Sequence, residues 1–226
     1  MNQPSLFLED YLDHPDFAKS LTVLAGDVLK AKLPAEVDEI GLVCANVLDA
    51  ANYLEKKYKG MRIFFLGDGK ARMFKEKGKD VAFTTRVGFG FYKGVIVELA
   101  EPGTGSEIFS QTDIIEGKIM INHLGFKARD KDLVGKKNGA KVSYAKMMSE
   151  LGIPKAVEAE VYVLGFSAHI HIFETMHLTH QVEIEFLDFR LFSIKGPKIW
   201  YLAGIISLIG WWQKHVGPRF YRIKGQ

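Results

Sequence analysis

Val95-Ile-Val-Glu-Leu-Ala-Glu-Pro102 is a short apolar run with a carboxylate, Glu98, at its centre. The run reads as a buried strand, and a charge inside one is strongly disfavoured unless something pairs with it. A near copy returns 87 residues later as Val182-Glu-Ile-Glu-Phe-Leu-Asp188, with Glu185 where Glu98 stood. A second pair recurs at almost the same offset. Asp38-Glu-Ile-Gly-Leu42 comes back 84 residues on as Asn122-His-Leu-Gly-Phe126, setting His123 against Glu39. Two matched pairs at nearly equal spacing predict a duplicated module. Each copy carries a polar residue near its start and a Glu near its end.

Working outward, the spacing predicts an N-terminal helical arm over residues 1–35, with Asp13 as a cap, Pro15 in a first turn and Pro34 as the stop. The first module, 36–102, reads as strand 37–45, helix 48–58, strand 61–66, and a hairpin of 81–91 with 95–100. Residues 103–118 are a polar linker. The second module, 119–190, repeats the order: strand 119–128, helix 143–151 closed by Gly152, strand 158–164, and a hairpin of 167–173 with 181–189. Gly135–Gly139 reads as a long turn. Residues 191–226 form a C-terminal helix, 197–215, and a basic tail. The predicted fold is α+β: two βαβββ modules forming a cupped mixed sheet, with extra helices at both ends.

The bulk composition narrows the function. Thirty basic and 27 acidic residues, interspersed to a net +3, argue against a dedicated nucleic-acid surface. Cys44 is the single cysteine, which excludes an intrachain disulfide and a Cys-based zinc site and fits a cytoplasmic protein. The N-terminus has neither the basic nor the apolar region of a signal peptide. The longest apolar run, 199–212, falls short of the ~20 residues of a spanning helix. With paired tryptophans and flanking cations it suits an interfacial membrane helix, but docking on the sheet, or exchange into a partner in a homodimer, is the favoured reading.

Side chains alternate faces along a strand. In the final hairpin, a loop centred near His177 would put His169 and His171 opposite Glu183 and Glu185, on a face that lines a cavity or meets solvent. A pseudo-twofold axis between the modules would bring Glu39 and Glu98 of one to His123 and Glu185 of the other. Three carboxylates and an imidazole make a plausible divalent-metal site. Oxygen-rich ligation favours magnesium or manganese, and the imidazole admits iron, cobalt, nickel or zinc. His169, His171, Glu183 and Arg86 are expected to line the adjoining pocket. The competing structural account pairs the buried glutamates with Arg86 or Lys93.

These motifs resemble the vicinal oxygen chelate superfamily, which includes glyoxalase, methylmalonyl-CoA epimerase, extradiol dioxygenases and bleomycin-resistance proteins. Val37–Cys44 is similar to that family's opening strand, Val95–Pro102 to its first Glu strand, Asn122–Phe126 to its His strand, and Val182–Asp188 to its closing Glu strand. The resemblance spans roughly 36–190. Glu39 stands where the family most often has His, and a single His among four positions disfavours an iron dioxygenase. The resemblance implies a metal-dependent lyase or isomerase. It would act on a small carbonyl compound through an enediolate or enolate, with Glu185 or Glu98 moving the proton. A metal-free binding protein of the bleomycin-resistance type is the alternative.

Overall fold

A computed structural model describes residues 4–65, 70–108, 114–129, 132–163, 166–191 and 194–195, with isolated positions between 204 and 224. In chain order the elements are α1 (Glu9–Leu12), α2 (Phe17–Ser20), a 3-10 turn (Leu21–Ala25) and α3 (Gly26–Lys30). Then come β1 (Glu39–Val43), α4 (Val47–Lys57), β2 (Phe64–Phe65), β3 (Lys70–Glu76), β4 (Lys79–Asp80), β5 (Thr84–Tyr92) and β6 (Val95–Pro102). The second half holds β7 (Met120–Lys127), β8 (Val134–Lys137), β9 (Ala140–Ser143), α5 (Tyr144–Glu150), β10 (Lys155–Val163), β11 (Phe166–Phe173) and β12 (Glu183–Leu191). Two short strands, β13 (Ile194–Lys195) and β14 (Ile223–Lys224), follow.

One curled mixed sheet runs β14-β5-β6-β1-β7-β12-β11-β10-β3-β4, and the fold is α+β. Its centre is symmetric. β1 pairs with β6 in parallel, β7 pairs with β12 in parallel, and β1 meets β7 antiparallel between them. Gly41 lies beside Glu98 and Gly125 beside Glu185, while Glu39 faces Gly125 and Gly41 faces His123. The 84- and 87-residue offsets are thus the trace of one strand pair used twice.

Alternation divides the two faces. Ile40, Leu42, Val95, Val97, Leu99, Leu124, Phe126, Ile184 and Phe186 join the main apolar core under the helices. Glu39, Glu98, His123 and Glu185 lie on the other, inward face. Asn46 caps α4 by accepting from Leu48 and Asp49 N–H, and Ser143 caps α5 by accepting from Lys146 N–H. Both helices are thereby started where their apolar stripes meet the sheet.

The N-terminal arm is short helical turns rather than long helices, and it is part of the core: Leu8, Leu12, Phe17, Leu21, Leu24 and Leu29 are fully buried. Asp13 does not cap a helix start; it follows the C-terminus of α1, and α2 begins after Asp16 without a side-chain cap. Two hairpins were not anticipated. Asn138-Gly139 and Lys77-Gly78 both take positive φ, the chemistry of two-residue turns, and they join β8 to β9 and β3 to β4. The segment read as a long turn is therefore a hairpin. β3 also crosses to pair with β10 of the other half. The expected helix over 197–215 lies largely outside the described residues.

Candidate metal centre

The four polar positions meet. Glu39, Glu98, His123 and Glu185 each present a ligand atom, and these atoms all lie within 4.8 Å of one another. Glu39, His123 and Glu185 are about 1% exposed, and the Glu98 side chain, at 13%, is the most open. The His123 Nε2 atom is 2.6 Å from Glu185 Oε2 and 3.7 Å from Glu98 Oε2.

Two glycines make the space. A Cβ at Gly41 would sit 1.9 Å from His123 Cε1, so the imidazole ring lies flat over that backbone. A Cβ at Gly125 would be 2.7 Å from Glu39 Cβ, so the Glu39 stem crosses the matching position. The repeated Glu/His-x-Gly pattern is therefore a packing rule: each copy's glycine receives the other copy's ligand.

A β-bulge aims the histidine. Gly41 pairs with His123 but Leu42 pairs with Ile121, so Asn122 has no counterpart on β1. The extra residue brings the fully buried Asn122 amide to its neighbour. Asn122 Oδ1 lies 2.9 Å from His123 Nδ1, and its amide nitrogen donates to the Ile108 carbonyl at 3.2 Å. With Nδ1–H donated to Asn122, the Nε2 atom is turned toward the carboxylates.

Three buried atoms at this point, Glu39 Oε2, His123 Nε2 and Glu185 Oε2, make no well-aligned hydrogen bond, and the last two face each other as a close ion pair at 2.6 Å. Such groups are rare in folded proteins unless they serve a ligand or ion. Burial pushes Glu39 well above the carboxylate range, with the Glu185 and Glu98 charges adding to it and His123 opposing. Burial likewise raises Glu185, against His123. Burial alone would lower His123, but Glu185 and Glu98 outweigh it and hold the imidazole well above its ordinary value. The cluster keeps its charge down by retaining protons.

The donor set fits a divalent ion. Metal–ligand bonds of about 2.0–2.2 Å place donors on one ion roughly 3–4.3 Å apart, so the widest pairs of this cluster must draw in slightly and the His123–Glu185 pair, now 2.6 Å apart, must open. Three oxygens and one imidazole nitrogen suit magnesium, manganese or a borderline transition metal.

The remaining residues expected at the pocket go elsewhere. His169 pairs across the hairpin with Asp188, His171 with Phe186, and Ile172 with Glu185. Both histidines therefore share the face of Phe186, opposite Glu185. The expected loop centre near His177 was off by an odd step, which exchanges every side chain between faces. His171 is buried and pushed down to about 4, mainly by burial, so it is neutral near pH 7. His169 approaches Glu160 at 3.9 Å on the outer surface. Glu183 is on the inward face but engaged: Thr175 N–H donates to it at 2.6 Å and Thr175 Oγ1 at 3.2 Å. Arg86 points away from Glu98 and pairs with Glu101 at 3.0 Å. Glu101 also accepts from Val47 N–H at the start of α4. Lys93 donates to the Leu12 and His14 carbonyls. Neither cation neutralises Glu98 or Glu185, so the purely structural account of the paired carboxylates loses the partners it named.

No protein-family model and no curated protein sequence matches the chain. Among solved structures, it is similar to a variant of Streptomyces coelicolor methylmalonyl-CoA epimerase in complex with 2-nitronate-propionyl-CoA, at 16% identity over 67% of this chain and 94% of that one, TM-score 0.43. It is also similar to methylmalonyl-CoA epimerase from Mycobacterium tuberculosis, at 15% identity over 75% and 93%, TM-score 0.42. A methylmalonyl-CoA epimerase in complex with methylmalonyl-CoA and ammonium overlaps at 17% identity over 71% and 97%, TM-score 0.43. The overlap is too loose for the activity of those proteins to be read across.

Proposed function

We propose that the chain is a metal-dependent lyase or isomerase of the vicinal oxygen chelate type, moving a proton next to the carbonyl of a small substrate. The observation that carries this reading is the convergence of four ligand atoms, from Glu39, Glu98, His123 and Glu185, within 4.8 Å of one another, three of the four residues being buried. Glu39, Glu98, His123 and Glu185 would hold the ion. When bound, a divalent ion supplies Lewis-acid polarisation of a substrate oxygen and stabilises negative charge as it develops.

The protein side chains divide the remaining work. Glu98 is the best placed to exchange a proton with substrate, because it is the most accessible of the four and stands farther from His123 than Glu185 does. Glu185, fully buried and 2.6 Å from the imidazole, is fixed in place. The apolar walls on the same face, from Val157, Ala159 and Ile172, exclude water and strengthen electrostatic interactions inside.

Metal analysis of chelator-stripped and reloaded protein, beside Glu98→Gln and His123→Ala, tests this. A single divalent ion per chain, lost in His123→Ala and retained with loss of substrate proton exchange in Glu98→Gln, supports the assignment. Wild-type protein that takes up no ion while remaining folded contradicts it.

A further inference from the structure

The charges are not spread evenly along the chain. Residues 189–226 contain seven Lys and Arg (Arg190, Lys195, Lys198, Lys214, Arg219, Arg222, Lys224) and no Asp or Glu. The preceding 188 residues hold the other 23 cations against all 27 acidic residues, a balance of −4. The same segment contains Trp200, Trp211 and Trp212, which are all the tryptophans of the protein.

Within it, Gly204, Leu208, Trp211, Trp212 and His215 are helical, and Val216 N–H donates to the Trp212 carbonyl at 2.8 Å. Leu208, Trp211, Trp212 and Val216 are 66%, 49%, 47% and 70% exposed. At about 3.6 residues per turn these positions fall on one side of a helix. Among the described residues of this segment these four apolar side chains thus face solvent, and the rest of the helix favoured from sequence to dock on the sheet lies outside the described residues. No helix among the described residues is long and apolar enough to cross a membrane.

We propose that this segment seats the protein on an anionic bilayer surface. Leu208, Trp211, Trp212 and Val216 enter the headgroup boundary, where the amphipathic indole ring is favoured. Lys214, inside this span, and Arg219, Arg222 and Lys224, which come after it in sequence, would meet the lipid headgroups, and the absence of any acidic residue from 189–226 removes the repulsion an anionic surface would otherwise meet. The acidic remainder of the chain stays in water. The inference is independent of the metal centre.

Intrinsic fluorescence tests it directly, since every tryptophan reports from this segment. Full-length protein is titrated with phosphatidylcholine vesicles containing one quarter phosphatidylglycerol, and with phosphatidylcholine alone, with co-sedimentation in parallel. A blue shift and pelleting with the anionic vesicles only, reversed by high salt, is expected. Arg219→Gln/Arg222→Gln/Lys224→Gln should weaken partitioning roughly a hundredfold, at about 1 kcal/mol per cation. Trp211→Ser/Trp212→Ser should abolish pelleting. Failure of the wild type to shift or pellet with anionic vesicles overturns the proposal. So does a concentration-dependent dimer, abolished by the Trp211→Ser/Trp212→Ser pair, in protein that ignores vesicles.

Discussion

Replacing Gly41 by alanine should disable the metal centre without touching a ligand. The added Cβ would lie 1.9 Å from His123 Cε1, 2.1 Å from Nε2 and 2.2 Å from Nδ1. Carbon contacts are favourable only near ~3.5–4.0 Å, so the ring must move by about 1.5–2 Å. Such a shift breaks the Asn122 hydrogen bond and takes Nε2 away from Glu185 and Glu98. Overpacking of this kind costs about 1–3 kcal/mol. Displacing a ligand should weaken ion binding by more than the ~10–100-fold typical of disturbing a residue behind a ligand. Urea unfolding of the ion-free protein reads the first quantity, and calorimetric titration with Mn2+ reads the second. Gly125→Ala is the matched comparison. Its Cβ meets Glu39 Cβ at 2.7 Å and the flexible Leu187 Cδ1 at 2.8 Å, so both losses should be smaller. If Gly41→Ala keeps wild-type affinity, with stability within about 0.5 kcal/mol, the imidazole does not occupy the space assigned to it.

Other outcomes follow from the same geometry. The folded state holds protons on Glu39, Glu185 and His123 that the unfolded chain releases near the ordinary values of 4.5 and 6.5. Stability from these protons is complete below those values and is lost as pH rises through the raised folded ones. The melting temperature of ion-free protein should therefore fall on this account as pH rises above 4.5, and stabilisation by added Mn2+ should grow over the same range; a melting temperature indifferent to both contradicts the shared-proton picture. Asn122→Ala, which frees the His123 ring and releases Ile108, should lower Mn2+ affinity about 10–100-fold in a titration, and Asn122→Asp should retain more affinity than alanine. Thr175→Val removes the hydroxyl bond to buried Glu183 and should cost about 1.5–3 kcal/mol in urea unfolding, with Mn2+ affinity unchanged.

The four candidate ligand positions were legible because each is a polar residue in an apolar strand and each has a counterpart at nearly the same spacing. Gly41 and Gly125 were visible in the same repeat, but their meaning required the antiparallel pairing of β1 with β7, which places each under the other copy's ligand. The hairpin faces were misread because a nine-residue loop, 174–182, admits several centres and local periodicity does not choose between odd and even. Asn122 went unassigned for a related reason. Strict alternation would send it away from His123, and only the bulge brings the two together. The crossing of β3 to β10 was beyond local reading, since strand composition says little about which edges meet. The Asn138-Gly139 hairpin, by contrast, carries its own signal, since Asn-Gly favours the positive φ that a two-residue turn requires at both positions.

Crystals soaked in Mn2+, with diffraction recorded for anomalous scattering, test the central claim most directly. A single strong peak bonded to Glu39, Glu98, His123 and Glu185 is the expected result. Ordered side chains around a peak-free centre, or a peak held by other residues, would contradict it.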